Sequence, residues 1–181
     1  MLAQLWLPIV LSGIALFFMS FLAWMIIQLH KDDWIKAPNE DRLMQAVKDC
    51  GLKRGKSYMF PGCTSQDEMK SPEFQAKVKA GPRGVITVFD KNEMPQNLLL
   101  TLVYYLVVSF GLAYLGSIAF PAGAKTLDVF RFFAAAGLMV FLAAIVPHAV
   151  WFKNRITGHV IESVLDGLIV GGIFAAMWPK A

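Results

Sequence analysis

The sequence predicts an all-α transmembrane four-helix bundle with a small α/β extramembrane insertion between helices 1 and 2. Three observations carry that expectation. Of 181 residues, 56% are hydrophobic and only 17% are charged, whereas soluble domains carry about 25% charged residues. The charge is also gathered in one block, with 22 of the 30 charged residues lying between Lys31 and Glu93. Outside that block the chain is made of apolar runs close to the ~20 residues a helix needs to cross a hydrocarbon core. A net charge of +4 then reads as the cationic residues that set membrane orientation, not as a nucleic-acid footprint. The expected partners are the lipid bilayer and other membrane-protein subunits, with no nucleic acid.

The first span is expected over residues 5–29. No Lys or Arg precedes it, and its apolar core is longer than that of a cleaved signal peptide, so it reads as a retained anchor. Pro8 falls near the start, where a helix tolerates proline best. Trp6 and Trp24 fall near the two ends, as interfacial anchors do.

Residues 30–97 form the polar insertion. Pro38-Asn39-Glu40-Asp41 predicts a helix start with Asn39 as N-cap, and Gly51 is placed to end that helix. Ser71-Pro72-Glu73 predicts a second start, stopped at Gly81. Tyr58–Phe60 and Val85–Phe89 are strand candidates. A core this small is thin, so the insertion is expected to rest on the membrane domain or on a partner. Cys50 and Cys63 make no CxxC pair and carry no zinc-knuckle signal. In a cytoplasmic loop they stay reduced; outside, they could close a disulfide.

The second span, 98–120, carries Tyr104, Tyr105, Ser109 and Gly116, small and hydroxyl residues suited to helix contacts in lipid. The third, 129–151, starts beside Asp128 and Arg131, a candidate local ion pair. It holds Pro147 near its far end, where a kink is expected because the carbonyl of Ala143 loses its donor. The fourth span is expected over 160–178. Four spans put both termini on one side. Fourteen Lys/Arg residues lie in the insertion and the third connection, against Lys125 and Lys180 on the other side. That bias places the insertion in the cytoplasm and the termini outside.

The fourth span carries the chemistry. His159, Glu162 and Asp166 are spaced i, i+3, i+7 and form one stripe on a helix. Gly167 and Gly171 make a small-xxx-small pair for close helix packing. An ionised carboxylate well inside a span costs about 2.5–3.5 kcal/mol on insertion scales. Asp166 is therefore expected to face protein, either accepting hydrogen bonds from Ser163, Tyr104 or Tyr105 or standing protonated through desolvation. His30 ends the first span and His148 lies near the end of the third, which places them at the same interface as His159. Imidazole with carboxylate suits a transition metal, a quinone head group or a proton relay.

No phosphate loop, HExxH motif, nucleophile elbow or CxxCH haem attachment is present. No catalytic residue, metal or cofactor is assigned from the sequence, and an enzyme is not expected. The segments HKDDWIKAPNED (His30–Asp41), YMFPGC (Tyr58–Cys63) and MKSPEFQAKVKAGPRG (Met69–Gly84) resemble small four-span bacterial inner-membrane proteins of uncharacterised activity, with a polar segment after the first span. The resemblance implies a bacterial inner-membrane location and brings no site residue with it.

Small size and absent motifs lead to a first functional expectation of a non-catalytic accessory or scaffolding subunit of a larger inner-membrane complex. The alternatives are a small transporter or proton/ion pathway along His159, Glu162 and Asp166, and a metal- or quinone-linked redox protein using His30, His148 and His159.

Overall fold

The apolar N-terminal run is helical from Leu2 to Ile26, with α1 (Trp6–Phe21) entered by a 3-10 turn, Leu2–Leu5, and left through a wider π turn, Leu22–Ile26. The computed structural model describes every residue except Asn92 and is 67% helical. The other elements are α2 (Glu40–Asp49), β1 (Lys56–Phe60), α3 (Gln66–Lys70), α4 (Pro72–Ala80), β2 (Gly84–Val88), α5 (Met94–Ala119), α6 (Thr126–Leu142), α7 (Ile145–Phe152) and α8 (Thr157–Met177). Four helical stretches are long and apolar enough to cross a membrane: Leu2–Ile26, Met94–Ala119, Thr126–Phe152 and Thr157–Met177. The chain divides into two units, Met1–Ile35 with Met94–Ala181, and Lys36–Glu93.

In the first unit α6 packs along α8, and α1 packs against both α5 and α8. The α6–α8 contact is close because glycine allows it. A Cβ on Gly167 would lie 2.6 Å from the Ala134 carbonyl oxygen, and one on Gly171 would lie 3.0 Å from that of Phe130. Small residues let backbones approach where lipid supplies no hydrophobic drive between helices. One end of this unit is aromatic. Phe133 and Phe174 stack with centroids 4.1 Å apart, and the Trp178 indole N–H donates to the Pro121 carbonyl at 3.0 Å. The outward faces remain apolar and exposed, for example Trp6, Phe18, Ile118 and Met139, and are suited to lipid. Between α6 and α7 the helix breaks at Ala143 and Ala144, one turn before Pro147, as the missing proline N–H requires.

The second unit is built from local signals. Asn39 Oδ1 accepts from the Arg42 N–H at 3.1 Å, and Ser71 Oγ accepts from the Phe74 N–H at 3.2 Å. Gly51 and Gly81 stand at positive φ, 67° and 64°, just past α2 and α4, where a left-handed residue ends a helix. β1 and β2 pair antiparallel, Lys56 opposite Val88 and Phe60 opposite Gly84. The short α3 was not expected; Ser65 caps it by accepting from the Glu68 N–H at 3.1 Å. Cys50 and Cys63 are both free thiols. The expected Asp128–Arg131 pair does not form among the described residues. Asp128 lies in the first turn of α6, where the helix N-terminus itself favours an anion.

Candidate functional site

The chain leaves the first membrane-length helix through a sharp reversal. Gln28 adopts φ 56°, and the Leu29 N–H donates back to the Ala23 carbonyl at 2.8 Å. This reversal lays the loop that carries His30 across the start of α8. Gly158 makes the approach possible, since a Cβ there would sit 2.6 Å from the Leu29 carbonyl oxygen and 2.9 Å from His30 Nδ1. Arg155 Nη1 donates to Asp32 Oδ2 at 3.1 Å and ties the loop to the chain entering α8.

His30 is held on every side. Its ring is stacked on Trp24, with centroids 4.1 Å apart and planes 11° from parallel. Nδ1 lies 2.7 Å from Asp33 Oδ2, and Nε2 lies 2.8 Å from Glu162 Oε2. The His159 ring centre is 4.4 Å from that of His30, and His159 Nε2 is 3.7 Å from Asp33 Oδ2. The side chains of His30, Asp33 and Glu162 are 1%, 7% and 9% exposed, against 30% for His159. One ligand atom from each of His30, Asp33 and His159 can be chosen so that all lie within 4.8 Å of one another.

The electrostatics leave this cluster unfinished. Asp33 Oδ1, Glu162 Oε1 and, one turn further along α8, Asp166 Oδ1 are buried and have no hydrogen-bond partner. Each ring nitrogen of His30 faces a carboxylate oxygen, and both can donate only when the ring is doubly protonated. In the neutral ring a lone pair would face a carboxylate. Either a proton or a metal ion removes that conflict.

The expected residues separate. His30, His159 and Glu162 come together. His148 does not join them; its Nδ1 accepts from Asn154 Nδ2 at 3.1 Å and its ring packs on Phe152. It instead shares with His159 the wall of a cavity of about 370 Å³, lined also by Ile145, Asn154 and Arg155. Asp166 is buried at 2% exposure, but Ser163 does not serve it, because the Ser163 hydroxyl donates to the His159 carbonyl at 2.7 Å. Tyr104 and Tyr105 lie within electrostatic reach of its carboxylate. Gly167 and Gly171 line the packing face against α6.

Three contributors escaped the sequence argument: Asp33, Gly158 and the stacking role of Trp24. A His-x-x-Asp spacing at a span end was the available signal for Asp33. Gly158 and Trp24 carried no signal beyond their positions at helix ends. No family model, curated protein or solved structure matches this chain, so the geometry stands by itself.

Proposed function

We propose that this is a multi-pass membrane protein that binds a divalent transition-metal ion at one end of its membrane unit, through His30, Asp33 and His159. The observation that carries it is the convergence of two imidazoles and a carboxylate, with a second carboxylate behind one imidazole. Tetrahedral coordination with bonds of about 2.0–2.1 Å places ligand atoms ~3.3 Å apart. The 2.7 Å and 3.7 Å separations from Asp33 Oδ2 bracket that value. Glu162 accepting from His30 Nε2 is the outer carboxylate that fixes the tautomer of a metal-bound histidine and strengthens it as a ligand. The cavity beside His159 offers an approach to that ligand. Nitrogen and oxygen donors of this kind suit Zn²⁺, Fe²⁺ or Co²⁺ better than Ca²⁺ or Mg²⁺.

The four membrane-length helices form the proposed bundle, the resemblance of the insertion supports a bacterial inner membrane, and the charge bias supports a cytoplasmic insertion with the termini outside. The metal then sits at the cytoplasmic interface. Co²⁺ titration of the full-length protein in detergent tests the site. At least one equivalent is expected to bind with the visible bands of low-symmetry nitrogen–oxygen coordination. His159→Ala, at the most exposed ligand, should weaken binding by at least roughly 10–100-fold, the range seen even for outer-sphere losses, while His148→Ala leaves it unchanged. Wild-type protein that binds neither Co²⁺ nor Zn²⁺ would sink the proposal. An accessory-subunit role is a second reading, supported by apolar side chains that the insertion exposes, Met59 and Phe89. A stoichiometric companion protein with no bound metal after mild-detergent purification would favour it.

A further inference from the structure

We infer that Glu162 and Asp166 form a second cation site one helical turn deeper than the first, so that the protein passes its ion into the membrane instead of only holding it. The inference rests on the interfacial metal site proposed above. Glu162 divides its two oxygens: Oε2 is taken by His30 at 2.8 Å, while Oε1 is buried with no partner. Asp166 follows at i+4, on the same face of α8 and about 6 Å further along the axis. Its Oδ1 is likewise buried and unpartnered. A carboxylate with one oxygen bonded to His30 and the other bare is placed to hand an ion from one site to the next.

Charge points the same way. Glu162 and Asp166 are buried and the Asp33 side chain is 7% exposed, whereas the guanidinium of Arg155 is engaged with Asp32. Ionised, Glu162 and Asp166 bring two negative charges into a membrane-length helix, where even one is costly, and a divalent cation is the ligand that offsets them. The ligand set also changes along the path, from imidazole-rich to oxygen only, so a transition-metal ion is bound less tightly at the inner position. Weaker binding at the second stop is what onward movement requires. On α5, Ser109 likewise has a buried unpartnered hydroxyl.

The test uses full-length protein, with Zn²⁺ as the probe ion. Bound zinc is counted in detergent, and zinc entry is followed in proteoliposomes containing a zinc-sensitive dye. Wild type is expected to bind two ions and to admit zinc. Asp166→Asn keeps the size and one acceptor; it should bind one ion, keep the wild-type Co²⁺ spectrum of the first site and the wild-type melting temperature, and lose flux by at least about tenfold, the smallest loss expected when a site residue is removed. A wild type that binds one ion, or an Asp166→Asn protein that admits zinc as fast as wild type, overturns the second site and leaves the first standing. Wild-type protein that binds no zinc overturns the proposed function itself. Asp166→Leu, which removes every polar atom, separates charge from packing: retained assembly without flux supports an ion site, and retained flux overturns it.

Discussion

The two units of the chain treat their polar groups in opposite ways. Among the described residues of Lys36–Glu93 none is buried, and the start of each helix is closed by a side chain: Asn39, Ser65 and Ser71. In the membrane unit five side-chain oxygens, on Ser12, Asp33, Ser109, Glu162 and Asp166, are buried without a partner. A capped, exposed group is explained by the stability of its own helix. A buried, unpaired oxygen is not, and the proposed ion sites are built on three of the five, those of Asp33, Glu162 and Asp166. The contrast teaches where to look for function in a chain that carries no catalytic motif.

The contrast can be broken at its most constrained point. Gly167→Val would drive side-chain atoms into the α6 backbone at Ala134 and Leu138, and overpacking of this kind costs about 1–3 kcal/mol or more. Thermal unfolding in detergent should fall clearly. Gly172→Ala, five residues on with nothing within 4 Å of the added Cβ, should melt as wild type. Equal melting of the two variants would show that α8 does not press on α6 as described.

A smaller effect sharpens the other half of the comparison. Asn39→Ala removes the Oδ1 cap of α2 and should cost about 1 kcal/mol. Hydrogen exchange on the full-length protein should report the loss within Glu40–Asp49 and leave α8 unchanged. Spread of the effect into Thr157–Met177 would show that the insertion is not locally stabilised.

The smallest effect depends on pH. Glu68 accepts from the Thr64 N–H at 2.7 Å and from the Thr64 hydroxyl at 2.9 Å. These bonds hold its carboxyl below the ordinary value of 4.5. A lowered value means that the carboxylate supports the fold fully above the unfolded value, and the support fades as pH falls through the lowered one. The Thr64 amide resonance should therefore move only at pH below 4.5, and Glu68→Gln should abolish the movement. A midpoint above that value would show that the capping contact is absent in solution.

Much of the fold was legible because it is local. Hydropathy alone located four helices of membrane length, and Pro147 announced the break before it. Asn39, Ser71, Gly51 and Gly81 marked helix ends through hydrogen bonds and dihedral angles set within a few residues. The five-residue α3 escaped because so short a helix has almost no period to read. The stripe of His159, Glu162 and Asp166 was legible for the same reason, since one helix fixes their common face.

What the sequence determined by itself was thus the set of membrane-length helices, the capped insertion and the polar face of α8. Only the tertiary structure decided that His30 meets Glu162 across 132 residues of chain, that Asp33 and Trp24 complete the cluster, and that His148 stands apart from it. The spacing of residues along one helix is fixed by its 3.6-residue turn. The choice of which helices become neighbours depends on glycine-to-backbone contacts such as Gly158 on Leu29 and Gly167 on Ala134. Those contacts have no local signature, because each is half written in one segment and half in another.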